Sequence, residues 1–174
     1  VLFRSYHLLK EAGIRTQEKE AREIILSREI VVTDGKAQLN AFPYEKGLKL
    51  EYFLDYDVPY MPKQQITFEI TEETFAKEIA PARTFALKAE VDALLKFGLG
   101  KGANLENTLV IDEKGNVMEN RLRFPDEFAR HKMLDLLGDI ALIGHRLKAH
   151  IQAYRSGHTS NVLMSEEIYR SHVQ

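Results

Sequence analysis

The run QITFEI at residues 65–70, followed at once by TEETFAKEIA at residues 71–80, decides the fold class. In the first run apolar and polar residues alternate, as they do in a strand with one buried face. In the second run apolar and polar residues no longer alternate, which indicates a helix rather than a strand. Thr71 can cap a helix, and Glu72 and Glu73 in its first turn suit the helix dipole. A strand followed directly by a helix indicates that both element types share one core.

The same two patterns extend outward in both directions. Upstream, short β-rich runs are separated by turns, which predicts an antiparallel meander with one covered face. Downstream, helical and strand-like runs follow each other. We predict strands within residues 24–32, 37–42, 48–55, 109–111 and 150–154, and helices within 88–97, 125–142 and 161–169. The predicted fold class is α+β, a two-layer sandwich in which helices back a mainly antiparallel sheet.

The amino-acid composition excludes several classes of function and of site. The 174 residues, 44% of them hydrophobic, suit one domain, or one domain plus a fragment of another. With 24 basic against 26 acidic residues there is no electrostatic case for nucleic acid. The absence of cysteine excludes disulfides and thiolate-bound zinc. No apolar run has the roughly 20 residues that a membrane helix needs, and no signal peptide is visible. We therefore expect a cytoplasmic protein without a transmembrane segment.

The most informative run is RHKMLDLLGD at residues 130–139. His131 and Asp135 are four residues apart, so on a helix they share a face and can reach one divalent ion at about 2 Å each. Asp139 lies one turn further and could orient a ligand or bind substrate. Lys132 lies to the side, where it could contact a phosphate. The alternative is that His131 and Asp135 form only a surface hydrogen bond.

Two further motifs are weaker alone. His158, after Ser156 and Gly157, stands at a strand-to-helix junction that can present an imidazole for acid–base chemistry, although it could instead cap the last helix. Thr84, in the run ARTF at residues 82–85, could donate to a developing oxyanion, although a Ser/Thr-turn role is the commoner one. His145 and His150 have no spacing that argues for metal ligation.

Taken in order, these motifs carry a resemblance. ARTF at 82–85, GANLEN at 102–107, DEFARHKMLD at 126–135 with Gly138-Asp139, and Ser156-Gly157-His158 closely resemble the C-terminal domain of the UDP-3-O-acyl-N-acetylglucosamine deacetylases. This family of zinc amidases acts in lipid A synthesis. The resemblance covers roughly residues 25–174. It implies a fold of two similar α+β domains, each a sheet backed by helices, with the active site between them.

The resemblance also implies roles for single residues. His131 and Asp135 would be zinc ligands. His158 would stabilise the charge of the tetrahedral intermediate and protonate the leaving amine, while Asp139 orients it. Thr84 would stabilise the oxyanion. Substrate would contact three further positions, namely Lys132 at the nucleotide phosphates, Phe85 at the sugar, and Ala103 in the acyl-passage loop, a position that is often Gly in the family.

The resemblance implies that the chain consists of parts of two domains. Residues 1–23 would be the last helix of a preceding domain and a linker, and residues 24–174 the C-terminal domain. Within it, 86–124 would be an inserted strand–helix–strand element that forms a passage for the acyl chain. Because the sequence starts without Met and runs directly into a helix, we expect a piece of a longer protein. A trimmed terminus is the alternative.

One departure from the family pattern matters. The family's first domain supplies a third zinc ligand, a His, preceded by the Glu that acts as general base, and this chain contains no Glu-His pair. We therefore expect the parent protein to deacetylate its UDP-linked acylated sugar and the 174 residues alone to be inactive. The competing hypothesis is a non-catalytic α+β module that binds the UDP-sugar or the acyl chain.

Overall fold

A computed structural model describes residues 2–98 and 102–173, which form an α+β fold. Its two longest helices lie against one face of a mixed sheet, and a separate pair of strands lies beside one of them. The helices are α1 (Leu2–Ala12), α2 (Glu72–Thr74, continued by a π-helix at Phe75–Ile79), α3 (Lys88–Lys96), α4 (Glu127–Ala141) and α5 (His158–Val173). The strands are β1 (Glu23–Ile25), β2 (Ile30–Asp34), β3 (Ala37–Pro43), β4 (Leu48–Leu54), β5 (Gln64–Glu69), β6 (Thr84–Leu87), β7 (Thr108–Ile111) and β8 (Arg146–Tyr154).

The large sheet confirms the predicted strands up to residue 70 and at 150–154, and their mainly antiparallel pairing, but not the predicted meander. Its order is β2-β3-β8-β4-β5, with β1 also pairing with β8. Strand β8 runs antiparallel to β3 and parallel to β4 and β1, so β3 and β4 do not pair despite the short turn between them. The meander was wrong because β8 comes from a distant part of the chain. The turn motifs in the sequence give no information about a strand that comes from a distant part of the chain.

The helices cover one face of this sheet. Along β8, Leu147, Ala149, Ile151 and Ala153 are buried, while the residues between them are partly exposed. Helices α4 and α5 pack on the buried side. They contribute Met133, Leu136, Met164 and Ile168, all with 0% of their surface exposed. Because those apolar positions fix how each helix is rotated, the polar residues between them face away from the sheet.

The helix predicted after residue 70 is confirmed, with an unexpected second half. The Thr71 side chain accepts from the N–H of Thr74, and the Thr74 hydroxyl accepts from the N–H of Thr71. This capping box satisfies two donors that a helix start leaves unpaired. The helix then widens to π geometry, and Ile79 at its end is fully buried.

Strands β6 and β7 form a separate parallel pair, joined through α3. Together they make a strand–helix–strand unit that begins at Thr84 and ends at Ile111, whereas the predicted insert spans residues 86–124. Leu109 and Ile111 of β7 are buried in the main core. The sequence also predicts an apolar inner face for this element, carried by Leu94 and Leu95, but their side chains lie outside the described part of the structure.

Helix α1 confirms the helix predicted at the start of the chain. It ends at Gly13, whose φ of +92° lies in the left-handed region that glycine adopts most readily. The Tyr6 ring packs edge-on against Phe75 at 5.6 Å between centroids. Within the described residues, the structure has no helix of the length and apolarity that a membrane crossing requires.

Candidate metal and catalytic site

Helix α4 presents His131, Asp135 and Asp139 at four-residue intervals. The Nε2 atom of His131 lies 3.5 Å from Oδ1 of Asp135, and both side chains are more than four-fifths buried. Two ligands that each bind a tetrahedral ion at about 2 Å stand about 3.3 Å apart. The two donor atoms therefore already have nearly the separation that one zinc ion requires.

The surroundings favour the metal-binding form of His131. Burial lowers the pKa of the imidazole, and the opposing charge of Asp135 does not fully compensate. Because a metal binds the neutral ring, a lowered pKa keeps a nitrogen lone pair available at neutral pH. Asp135 uses its other oxygen differently, since Oδ2 lies 2.9 Å from Nζ of Lys132. The Lys132 ammonium, which was expected to contact a phosphate, thus pairs with the Asp135 carboxylate.

One turn beyond Asp135, Asp139 holds His158. The ring Nδ1 lies 2.8 Å from Oδ2 of Asp139, and 70% of the His158 side-chain surface is exposed. A carboxylate accepts and does not donate, so Nδ1 donates and Nε2 is directed away from Asp139. Asn161 donates its side-chain N–H to the same Asp139 oxygen at 2.9 Å.

Buried contacts fix the segment that carries His158. The hydroxyl of Tyr52 on β4 donates to the Ser156 carbonyl at 2.6 Å. Burial raises the pKa of Tyr52, so the phenol remains a donor. The N–H of Gly157 donates to the Ser160 hydroxyl at 3.0 Å, where α5 begins. Sequence reasoning missed Tyr52 and Asn161, and only the nearness of Asn161 to the Ser-Gly-His motif could have indicated either.

A cavity of about 880 Å³ brings Thr84, Ala103 and His131 together, with Leu105 and Leu134 among its apolar lining. Thr84 is exposed at the start of β6. The Phe85 ring stands 6.3 Å from the His131 ring and packs on Phe128. Four residues predicted separately, from three motifs, thus lie at or beside one cavity. His158 does not line it.

A buried ion pair joins the Thr84 segment to helix α4. Glu127 is completely buried, and Arg83 is 6% exposed. The carboxylate accepts from Nε of Arg83 at 2.8 Å and from the backbone N–H groups of Arg83 and Arg123. Arg83 also donates to the side-chain oxygen of Asn120 and to the Arg121 carbonyl. Sequence reasoning identified Glu127 only as a helix start.

The remaining histidines lie elsewhere. His150 alternates with the buried residues of β8, which places it on the uncovered face of the sheet, where its Nε2 lies 3.5 Å from a Glu51 oxygen. His145 contacts the Ile143 carbonyl and the Tyr169 ring. Across residues 2–98 and 102–173, no three His, Asp or Glu side chains form a group that could hold a metal ion. Within the described residues, His131 and Asp135 are therefore a candidate pair of ligands rather than a full set.

Comparison with known proteins agrees with these motifs. A family profile described as UDP-3-O-acyl N-acetylglycosamine deacetylase matches residues 4–170. Curated proteins named UDP-3-O-acyl-N-acetylglucosamine deacetylase are 39% identical over 92% of the chain in Syntrophotalea carbinolica and 44% identical over 92% in Chlamydia felis. The relative from Oleidesulfovibrio alaskensis is 39% identical over 96% of the chain. The chain spans about half the length of the curated relatives it matches.

Proposed function

The chain belongs to the family of the UDP-3-O-acyl-N-acetylglucosamine deacetylases, and from this membership we propose that its parent protein hydrolyses the N-acetyl group of a UDP-linked, 3-O-acylated N-acetylglucosamine. Residues 24–174 would be the family's C-terminal domain, and residues 1–23 the end of a preceding domain and its linker. The observation that carries the proposal is the His131–Asp135 pair, in which His131 lines the same cavity as Thr84.

His131 and Asp135 would hold a zinc ion, since their donor atoms are spaced for one and burial lowers the pKa of His131, which favours its neutral form. A zinc ion bound there would supply an activated water and a Lewis acid for the amide carbonyl. The Thr84 hydroxyl would donate to the charge that develops on the carbonyl oxygen. His158, oriented by Asp139, would protonate the departing amine through Nε2.

Other residues would bind substrate. Lys132, now 2.9 Å from Asp135, would turn toward the nucleotide phosphates, and Phe85 would line the sugar surface. Residues 86–124, including Ala103, would form the acyl passage. Support comes from the parallel β6–α3–β7 excursion and from the apolar residues lining the adjoining cavity. The family's third ligand and general base would come from the part of the relatives' length that this chain does not span.

The test is zinc-dependent acetate release by the complete gene product from the UDP-linked substrate. His131→Ala and Asp135→Ala should each lower turnover more than about 100-fold, because even groups that only support a metal ligand contribute about 10–100-fold. The matched control is His150→Ala, on the uncovered sheet face. It should leave turnover unchanged. Full turnover in His131→Ala would contradict the proposal.

One observation favours a second candidate, a non-catalytic module that binds the UDP-sugar or the acyl chain. The described residues offer two metal ligands and no third. In that case the complete gene product would bind the UDP-linked substrate with equal affinity whether zinc is present or chelated, and would release no acetate. Acetate release that disappears on chelation would exclude it.

A further inference from the structure

We propose that Asn161 is a positioning residue, whose amide fixes the carboxylate of Asp139 so that His158 is held in one orientation. The inference rests on the proposed role of His158. Asn161 has 0% of its surface exposed. Its Nδ2 lies 2.9 Å from Oδ2 of Asp139, and the same oxygen accepts a hydrogen bond from Nδ1 of His158 at 2.8 Å. One carboxylate oxygen thus serves both donors.

The start of α5 brings these groups together. His158 and Asn161 are three residues apart in its first turn, so their side chains leave the helix on the same side. The N–H of Asn161 donates to the Gly157 carbonyl at 2.9 Å, which fixes this turn. The amide therefore approaches Asp139 from the hydrogen-bonded first turn of α5, whereas the His158 side chain is largely exposed.

Stability alone does not explain an amide at this position. The Oδ1 atom of Asn161 is buried and has no hydrogen-bond partner among the described residues. Leaving a buried acceptor unpaired costs about 1–3 kcal/mol. Leucine has a similar size and would avoid this penalty. What leucine cannot do is donate to Asp139, and that donation is the property the proposal assigns to Asn161.

The consequence is a defined proton position. An amide N–H₂ group only donates, so it holds Oδ2 in place as an acceptor. Nδ1 of His158 then donates to that oxygen in both protonation states of the ring. Nε2 is left as the atom that gains and releases the catalytic proton. Without Asn161 the carboxylate can rotate, and the ring can adopt the other tautomer.

The first test compares two substitutions in the complete gene product. Asn161→Leu should lower kcat by about 10–100-fold, the range for residues that orient a functional ligand, with KM within about twofold and no loss of thermal stability. Ser165→Ala is the matched control, because this buried hydroxyl contacts the backbone carbonyls of Asp139 and Asn161 but not the carboxylate. It should leave kcat within about twofold of the parent.

Three results would overturn the proposal: a kcat within twofold of the parent in Asn161→Leu, a change in KM alone, or an equal loss of kcat in Ser165→Ala. If Asn161→Leu does not fold, Asn161→Ala is judged by the same kcat and KM criteria.

The second test does not need turnover. In the complete gene product with ¹⁵N-labelled histidine, the neutral His158 ring should show the Nδ1-protonated tautomer, and Asn161→Leu should show a mixture of tautomers. An unchanged ring spectrum overturns the proposal. If the parent releases no acetate, the proposed function fails, yet the ring spectrum still decides whether Asn161 orients Asp139 and His158.

Discussion

At the scale of single residues, Glu127 offers the sharpest stability prediction. Its buried carboxylate accepts from the guanidinium of Arg83 and from two backbone N–H groups. Glu127→Gln would place an amide donor against those donors and leave Arg83 buried without its counter-charge. We expect a loss of about 3–5 kcal/mol, the usual result of removing one partner of a buried pair. Urea denaturation measures it. The control is Glu113→Gln at an exposed turn, which should change stability by less than about 0.5 kcal/mol.

The same residue predicts a pH dependence. Burial alone would raise the pKa of Glu127, but the hydrogen bonds from Arg83 and Arg123 outweigh it, so the pKa lies below its ordinary value of 4.5. A lowered carboxyl pKa stabilises the folded state above the unfolded value, and that contribution disappears as the pH falls through the folded value. The stability gap between the parent and Glu127→Gln should therefore be full at pH 7 and narrow below pH 4.5. Urea midpoints that keep a constant gap down to pH 3 would contradict this.

Residue patterns predict some of the site but not what supports it. The four-residue spacing of His131 and Asp135 brings their donor atoms to 3.5 Å because local helix geometry sets those positions. The contact between Asp139 and His158, which lie on different helices, was expected only from the family resemblance. Tyr52, Asn161 and the Arg83–Glu127 pair became visible only in the fold. Their partners lie far away in the chain or on another helix, and such contacts leave no periodic trace in the sequence.

At the scale of elements, two glycines give opposite predictions. Gly115 ends the turn after β7 with φ of +83°, and an added Cβ would meet the Tyr60 carbonyl oxygen at 2.5 Å. Gly115→Ala should therefore destabilise the protein by about 1–3 kcal/mol. Gly138 lies inside α4, where an added Cβ meets nothing described within 4 Å. Gly138→Ala should stabilise by about 0.5–1 kcal/mol. Thermal denaturation of both variants checks the pair, and equal shifts would contradict the assigned backbone roles.

Element types were more predictable than their arrangement. Helix α4 follows from its run of apolar positions, and the capping residues at 71–74 mark the start of α2. The position of β8 between β3 and β4 did not follow, because strand pairing over about a hundred residues depends on which hydrophobic faces the whole chain can bury.

At the scale of the whole molecule, the two faces of the sheet differ. The covered face carries the core and the α4–α5 layer, from which the candidate zinc ligands and His158 project. The uncovered face carries a hydrogen-bonded polar row in which Glu51 accepts from Gln65 and Gln152. The family's proposed active site between two domains would therefore require the family's first domain to pack against the helical side of this one.

The last prediction concerns zinc in the 174-residue chain. With only His131 and Asp135 as candidate ligands among the described residues, a bound ion would keep at least two positions for water and would have little geometric constraint. The chain should bind zinc more than about 100-fold more weakly than the complete gene product, since losing even a supporting partner weakens metal binding about 10–100-fold. Without a positioned general base, which contributes about 10²–10⁴-fold, it should release no measurable acetate.

Competition with a zinc-binding dye measures this affinity, and an acetate assay measures turnover. His131→Ala should abolish the weak binding, whereas His150→Ala on the uncovered face should not alter it. Turnover by the isolated chain at the rate of the complete gene product would show that the catalytic roles are assigned to the wrong residues. Zinc affinity equal to that of the complete gene product would show that a third ligand lies within these residues. His150 could not be that third ligand in the present arrangement, because it projects from the opposite face of the sheet. Bringing another residue to the zinc would require α4 or the Thr84 segment to move.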